Sequence, residues 1–261
     1  MTTFLACLAA ELLKIRKSKV LPATAIAFSV APVMGALFVL VLRDPSLSAT
    51  NPALAAKAEM TGFTPDWPSF LHLIGQAIGV GGVIVFGFVA SWVFGREFAD
   101  HTAKDLLVLP VSRAVIVFSK LAAILAWCLF LSLFVLAVAL ALGSLLQLPA
   151  WSPDNFIHAL AVIAVTTILV TFLCPPVAFI ASVGRGYLAP LGFVVLMIVV
   201  AQIISALGFG AHFPWAIPAL YSQLTTAPSG IDAWSYAILF MTCLAGVFAT
   251  VYWWTYADQT K

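Results

Sequence analysis

Charged side chains are scarce in this sequence: Asp, Glu, Lys and Arg together make up 8% of its 261 residues, where soluble domains carry about a quarter. A soluble fold of this size could not cover its surface from so small a supply. Close cysteine pairs are also missing. Cys7, Cys128, Cys174 and Cys243 stand far apart, which excludes a Cys-x-x-Cys redox or zinc motif. Three of them lie in apolar runs, where Cys behaves as a small hydrophobe. No basic run is interleaved with aromatics, so nucleic-acid binding has no footing. There is no His-Glu-x-x-His for a zinc protease and no Gly-x-x-x-x-Gly-Lys loop to cradle ATP phosphates. His72, His101, His158 and His212 fall at the edges of apolar runs or between them, away from the mid-bilayer positions that paired haem ligands need. Ser229-Gly230 sits beside Pro228, far from any partner His of an intramembrane serine protease.

What is abundant is hydrocarbon. Hydrophobic residues make up 63% of the chain and gather in blocks of about 20 or more, the length that crosses a bilayer. Six spans follow, at about 20–42, 70–94, 118–146, 156–183, 187–208 and 234–256. Residues 1–19 do not read as a signal peptide, because their charges follow the apolar residues. Phe4-Leu5-Ala6-Cys7 resembles a lipoprotein cleavage box only by chance, since no basic segment or long apolar stretch precedes it. On a helical wheel Phe4, Leu5, Leu8, Leu12 and Ile15 share an arc of about 100°. Lys14 and Lys17 fall on the far side, with Arg16 and Lys19 near the edge. This reads as an amphipathic helix in the inner headgroup layer, the alternative being a plain basic anchor before the first span. Lys and Arg set the orientation. Ten of them (Lys14, Arg16, Lys17, Lys19, Arg96, Lys104, Arg113, Lys120, Arg185 and Lys261) fall on one side, and Arg43 and Lys57 on the other. Both termini are therefore expected in the cytoplasm, the protein lying in the inner (plasma) membrane.

The span interiors hold almost no ionisable residue; Arg96 and Glu97 mark the inner end of the second span and nothing charged lies deeper. A mid-bilayer charge costs about 2.5–3.5 kcal/mol even on the lenient insertion scale, so its absence disfavours ion-driven transport. Gly75, Gly79, Gly81, Gly82 and Gly87 make a small-residue seam on the second span that permits close helix approach: packing within one subunit, a subunit interface or a pore wall. Cys174-Pro175-Pro176 must break or kink the fourth span, because two consecutive residues lack an amide hydrogen. Gly184-Arg185-Gly186 is a tight turn that forces the fourth and fifth spans into antiparallel contact. Residues 43–69 read as a small outer cap. Residues 209–233, too apolar for a solvated loop and broken by Pro214 and Pro218, suit a short helix or re-entrant pair in the outer leaflet, anchored by aromatics.

The connection after the second span is the informative stretch. Thr102 with Asp105 three residues on reads as a helix N-cap, Pro110 stops that helix after about two turns, and Ser112 can cap the third span. Leu106, Leu107 and Leu109 would then lie exposed on the wet side, where apolar residues need a cover. The run Arg96-Glu97-Phe98-Ala99-Asp100-His101-Thr102-Ala103-Lys104-Asp105-Leu106-Leu107, then Pro110-Val111-Ser112-Arg113 and Lys120, resembles the connection of type-2 ATP-binding-cassette (ABC) permeases, closest to the compact permeases of bacitracin and lantibiotic self-protection. Glu11-Leu12-Leu13-Lys14-Ile15-Arg16-Lys17 resembles that family's N-terminal elbow helix. The pattern departs at His101, where the family often has Gly.

The resemblance implies an all-α, polytopic membrane protein. It would have six transmembrane helices, an N-terminal amphipathic elbow, a cytoplasmic coupling helix at about 99–109 and outer re-entrant helices, all in one transmembrane domain. It also implies two cytoplasmic ATPase subunits and a second permease subunit, most simply a homodimer. ATP and Mg would be bound by the ATPase, with no cofactor, metal or catalytic residue in this chain. Leu106 and Leu107 would be the buried ATPase contacts, with Ala99, Asp100, Thr102, Lys104, Asp105 and Arg113 completing the coupling surface. Arg96 and Glu97 would form an ion pair at an inner gate, the alternative being a surface pair worth under about 1 kcal/mol. The expected function is the permease subunit of an exporter for an amphipathic antibiotic, peptide or lipid-like cargo. A secondary transporter or channel, a non-transporting subunit and an intramembrane enzyme are the other classes.

Overall fold

A computed structural model describes residues 2–60, 62–100, 102, 110–223 and 230–257. These residues form a helical bundle. Helix α1 (Thr2–Lys17) precedes α2 (Val20–Arg43), and two short helices, α3 (Pro45–Thr50) and α4 (Pro52–Met60), follow. The second long helix is composite: α5 (Trp67–Gln76), a π-helical segment (Ala77–Gly81) and α6 (Gly82–Ala99). Then come α7 (Arg113–Leu145), α8 (Pro153–Thr171), α9 (Cys174–Val183), α10 (Leu188–Ala206), the short α11 (Ile217–Ser222) and α12 (Ala233–Tyr256). Six helical stretches are long and apolar enough to cross a membrane: Val20–Arg43, Trp67–Ala99, Arg113–Leu145, Pro153–Val183, Leu188–Ala206 and Ala233–Tyr256. The chain is thus a multi-pass membrane protein, with six spanning helices among its described residues.

Between apolar helices in lipid the hydrophobic effect gives little net attraction, so close backbone approach has to supply packing energy. The glycines do this within the chain. A Cβ on Gly79 would stand 2.5 Å from Ser222 Oγ and 2.8 Å from the Pro218 carbonyl, so the π-helical turn is the seat of α11. A Cβ on Gly87 would meet Val194 of α10 at 2.7 Å, and one on Gly95 the Gly186 carbonyl at 2.7 Å. Gly79 and Gly87 of the seam, and Gly95 beyond it, therefore serve packing within one subunit, with α11, α10 and the 184–186 turn as their neighbours.

The Cys-Pro-Pro signal produces a break. Helix α8 ends at Thr171, Phe172 and Leu173 form a turn, and α9 restarts at Cys174 with its prolines in the first turn, where no amide partner is required. Gly246 of α12 lies directly against the Pro175–Pro176 backbone, leaving no room for a side chain. We expect Gly246→Ala to cost about 1–3 kcal/mol by overpacking. Gly192→Ala, where a Cβ would meet nothing within 4 Å, should stay within about 1 kcal/mol of the parent protein. Thermal unfolding of the two variants in detergent makes the comparison.

At one end of the bundle Arg43 donates to the Leu146 and Gln147 carbonyls, and Trp67 N–H to the Pro149 carbonyl at 3.1 Å. The 209–233 stretch contributes a turn of 3₁₀-helix (Gly210–His212) and α11, with Ile217, Pro218 and Ser222 buried. Trp215 meets Phe193 and Phe213 edge-on or tilted. The opposite end gathers α1, the end of α6, the start of α7, the 184–187 turn and the last turn of α12.

Candidate functional site

Helix α1 does not present its whole apolar arc to lipid. Glu11 and Ile15, one turn apart, are its buried residues, while Leu5, Leu12 and Leu13 are exposed. The inward face is thus turned from the centre of the apolar arc toward Glu11. Lys14, expected on the far side, goes with it. Its Nζ lies 2.8 Å from Glu11 Oε1 and 2.9 Å from Glu97 Oε1.

The third spanning helix begins at Arg113, capped by Ser112 Oγ accepting from Val115 N–H. That start places Lys120 two turns inside the helix, where it is completely buried. Its Nζ reaches Glu97 Oε1 at 2.8 Å, Glu11 Oε1 at 3.1 Å and the Val93 carbonyl at 3.3 Å. Two lysines therefore alternate with two glutamates in a neutral cluster that joins α1, α6 and α7. Isolated, each charge would be costly to bury, and alternation with short contacts is what makes the group tolerable. Burial pulls the Lys14 ammonium pKa down, but Glu11 and Glu97 outweigh it and hold the pKa above the ordinary lysine value. The folded-state pKa is raised, so Lys14 contributes stability throughout the neutral range and loses it only as pH climbs through that raised value.

The cluster also holds the start of the inner connection. Thr102 Oγ1 donates to Glu97 Oε2 at 2.7 Å. At the connection's other end, Arg113 donates to the carbonyls of Trp254 and Thr255 at 3.0 and 2.9 Å. Trp254 is itself fixed, its Nε1 donating to Ser182 Oγ at 2.9 Å and its ring packing on Phe94 and Phe98. Both ends of the connection are anchored in the bundle, one on the ionic cluster and the other on the last turn of α12.

Several expected site residues land elsewhere. Arg96 and Glu97 do not pair with each other. Arg96 Nε reaches Asp100 Oδ2 at 3.2 Å and its guanidinium lies 5.1 Å over the Trp92 ring, while Glu97 turns inward to the lysines. Adjacent residues on a helix point about 100° apart, so one side chain faces water and the other the core. Ala99 is the last residue of α6 and Asp100 its C-cap, so both belong to the end of the second span. Lys104, Asp105, Leu106 and Leu107 lie outside the described residues. The expectation that nothing charged lies deeper in the spans than Arg96 and Glu97 needs correction: Lys120, two turns inside the third spanning helix, is buried with Glu97 and with Glu11 of α1. Among the described residues, no group of three or more His, Cys, Asp or Glu side chains is placed to hold a metal ion.

The family model of ABC-2 family transporter proteins matches residues 7–202, a stretch that contains the whole ionic cluster and the inner connection. The bacitracin transport permease protein BCRB of Bacillus licheniformis is 27% identical over 170 residues, covering 65% of this chain and 82% of that protein.

Proposed function

This chain belongs to the ABC-2 transporter family, and on that premise we propose that it is the membrane subunit of an ATP-driven exporter, docked to separate ATPase subunits through residues 99–113. The observation that carries this reading is the anchoring of that connection at both ends. Thr102 is bonded to Glu97, and Glu97 to lysines from α1 and α7. Arg113 is bonded to the end of α12. A displacement of the connection by an ATPase would be delivered to α1, α6, α7 and α12 together rather than absorbed by a loose loop. Closure of the ATPases on ATP would then bias the bundle from inward-open to outward-open, a population shift driven by nucleotide.

The connection's polar side chains and the termini face the cytoplasm in this account, in keeping with ten Lys and Arg on that side against two on the other. The membrane is the plasma membrane, and the functional unit is a dimer of this chain. ATP and Mg are bound by the partner subunits. The relative is a bacitracin transport permease, which favours an amphipathic peptide antibiotic or a lipid-like molecule as cargo. The buried charges pair among themselves at one end of the bundle, so they leave no open carboxylate for ion coupling.

The test is co-expression with an ABC ATPase of the same genome, a gene adjacent to this one being the first candidate. The two proteins should purify as one complex whose ATP hydrolysis drives accumulation of a fluorescent bacitracin derivative inside inside-out vesicles. Efflux that runs on an ion gradient in the absence of the ATPase would overturn the assignment.

A further inference from the structure

On the face of α1 beside the ionic cluster lies an open concavity of about 490 Å³, bounded by α1, α6 and Tyr187 at the 184–187 turn. Its cations are Lys14, Lys17, Lys19 and Arg96, and its single acid is Asp100. The balance is uneven in a useful way. Lys14 is committed to Glu11 and Glu97, and Arg96 to Asp100. Lys17 and Lys19 line the same concavity, are exposed, and have no ion-pair partner among the described residues. Two uncompensated ammonium groups thus converge on a cavity whose walls include Trp92 and Tyr187, the residue types that settle at the headgroup level of a bilayer. Leu13, half exposed on α1, also borders it and offers an apolar surface toward the acyl chains.

We propose that this concavity is a binding site for the phosphate headgroup of an anionic phospholipid. Lys17 and Lys19 hold the phosphate, the Arg96 edge not used by Asp100 contributes a further donor, and Trp92 and Tyr187 flank the glycerol. Charge complementarity selects the occupant, because a zwitterionic lipid brings its own ammonium into a pocket already rich in them. A lipid seated here touches both α1 and α6, and so braces the helix that carries Glu11 and Lys14 against the one that carries Glu97. The site stands whether or not the chain couples to an ATPase, and its test needs the permease alone.

The experiment is native mass spectrometry and thermal unfolding of the purified full chain in neutral detergent, titrated with dioleoyl phosphatidylglycerol, dioleoyl phosphatidylcholine or inorganic phosphate. Phosphatidylglycerol should bind and raise the unfolding temperature; the other two should do neither. Juxtamembrane cations contribute about 1 kcal/mol each, so the double variant Lys17→Gln, Lys19→Gln should bind phosphatidylglycerol at least about tenfold more weakly. Lys17→Arg, Lys19→Arg should retain it, and both variants should unfold at the parent temperature without lipid. Equal stabilisation by phosphatidylcholine would overturn the proposal, as would unchanged affinity in the folded glutamine variant. Saturation by inorganic phosphate at matching concentration would make it a soluble-anion site and overturn the lipid assignment.

Discussion

Replacing Lys120 with Met is expected to destabilise the folded protein by about 3–5 kcal/mol, the cost of removing one partner from a buried ion pair. Methionine keeps the length and much of the packing, so the loss is electrostatic. Lys120 is wholly buried and bonds Glu97, Glu11 and the Val93 carbonyl. Without it, two buried carboxylates share Lys14 alone and the cluster carries an uncompensated negative charge. A compensated variant isolates that cause. Lys120→Met combined with Glu97→Gln restores neutrality, leaving Glu11 with Lys14 at 2.8 Å, and should recover more than half of the loss. Unfolding in mixed micelles with graded SDS of the parent, Lys120→Met, Glu97→Gln and the double variant gives four free energies, from which the cycle yields a coupling term. A single Lys120→Met variant within about 0.5 kcal/mol of the parent would show that water reaches these charges and that the cluster does not brace α1 against the spans.

The spanning helices were legible because lipid imposes a one-dimensional rule: backbone groups must be satisfied within each segment, so crossings appear as long apolar runs. The breaker residues were legible for the same reason. Pro175 and Pro176 lack amide hydrogens, and only the first turn of a helix tolerates that. The partner taken up by each small-residue position was not legible. Gly79 seats α11, and Gly246 seats the Pro-Pro break, yet nothing local to either glycine names a neighbour more than a hundred or about seventy residues away.

The ionic cluster stayed hidden for a different reason. A wheel drawn on hydrophobicity alone rejects Glu11 from the buried face, although Ile15 stands one turn beyond it and the two share a side. Lys120 reads as a cation at the mouth of the third span when that span is begun at 118; the helix begins at Arg113, which puts Lys120 two turns inside. The signal available was the spacing itself. Glu11 is the only acid in α1, Glu97 the only acid in α6, and Lys120 lies inside the next apolar helix. Each is an ionisable group in a setting that penalises a lone charge, and such groups are kept when they have partners. The Arg96–Glu97 dipeptide suggested a pair because the charges are adjacent in sequence, but helical geometry sends them to opposite surroundings.

The second large effect concerns the connection held between Thr102 and Arg113. Leu106 and Leu107 are the apolar residues that the proposed ATPase groove would bury. Two glutamates there would place charges in a desolvated interface, each costing several kcal/mol if unpaired, enough to reduce an assembly of ordinary affinity to background. Stability should be spared, since the ionic cluster and the Arg113 contacts lie at the ends of the connection and remain intact. This separates loss of docking from loss of folding. The most direct measurement is co-purification of the co-expressed ABC ATPase with the Leu106→Glu, Leu107→Glu permease, with thermal unfolding of the permease alone as its companion. The account predicts a permease that unfolds at the parent temperature, retains less than about a tenth of the bound ATPase and shows no ATP-dependent efflux. A variant that keeps its full complement of ATPase and its efflux would contradict it.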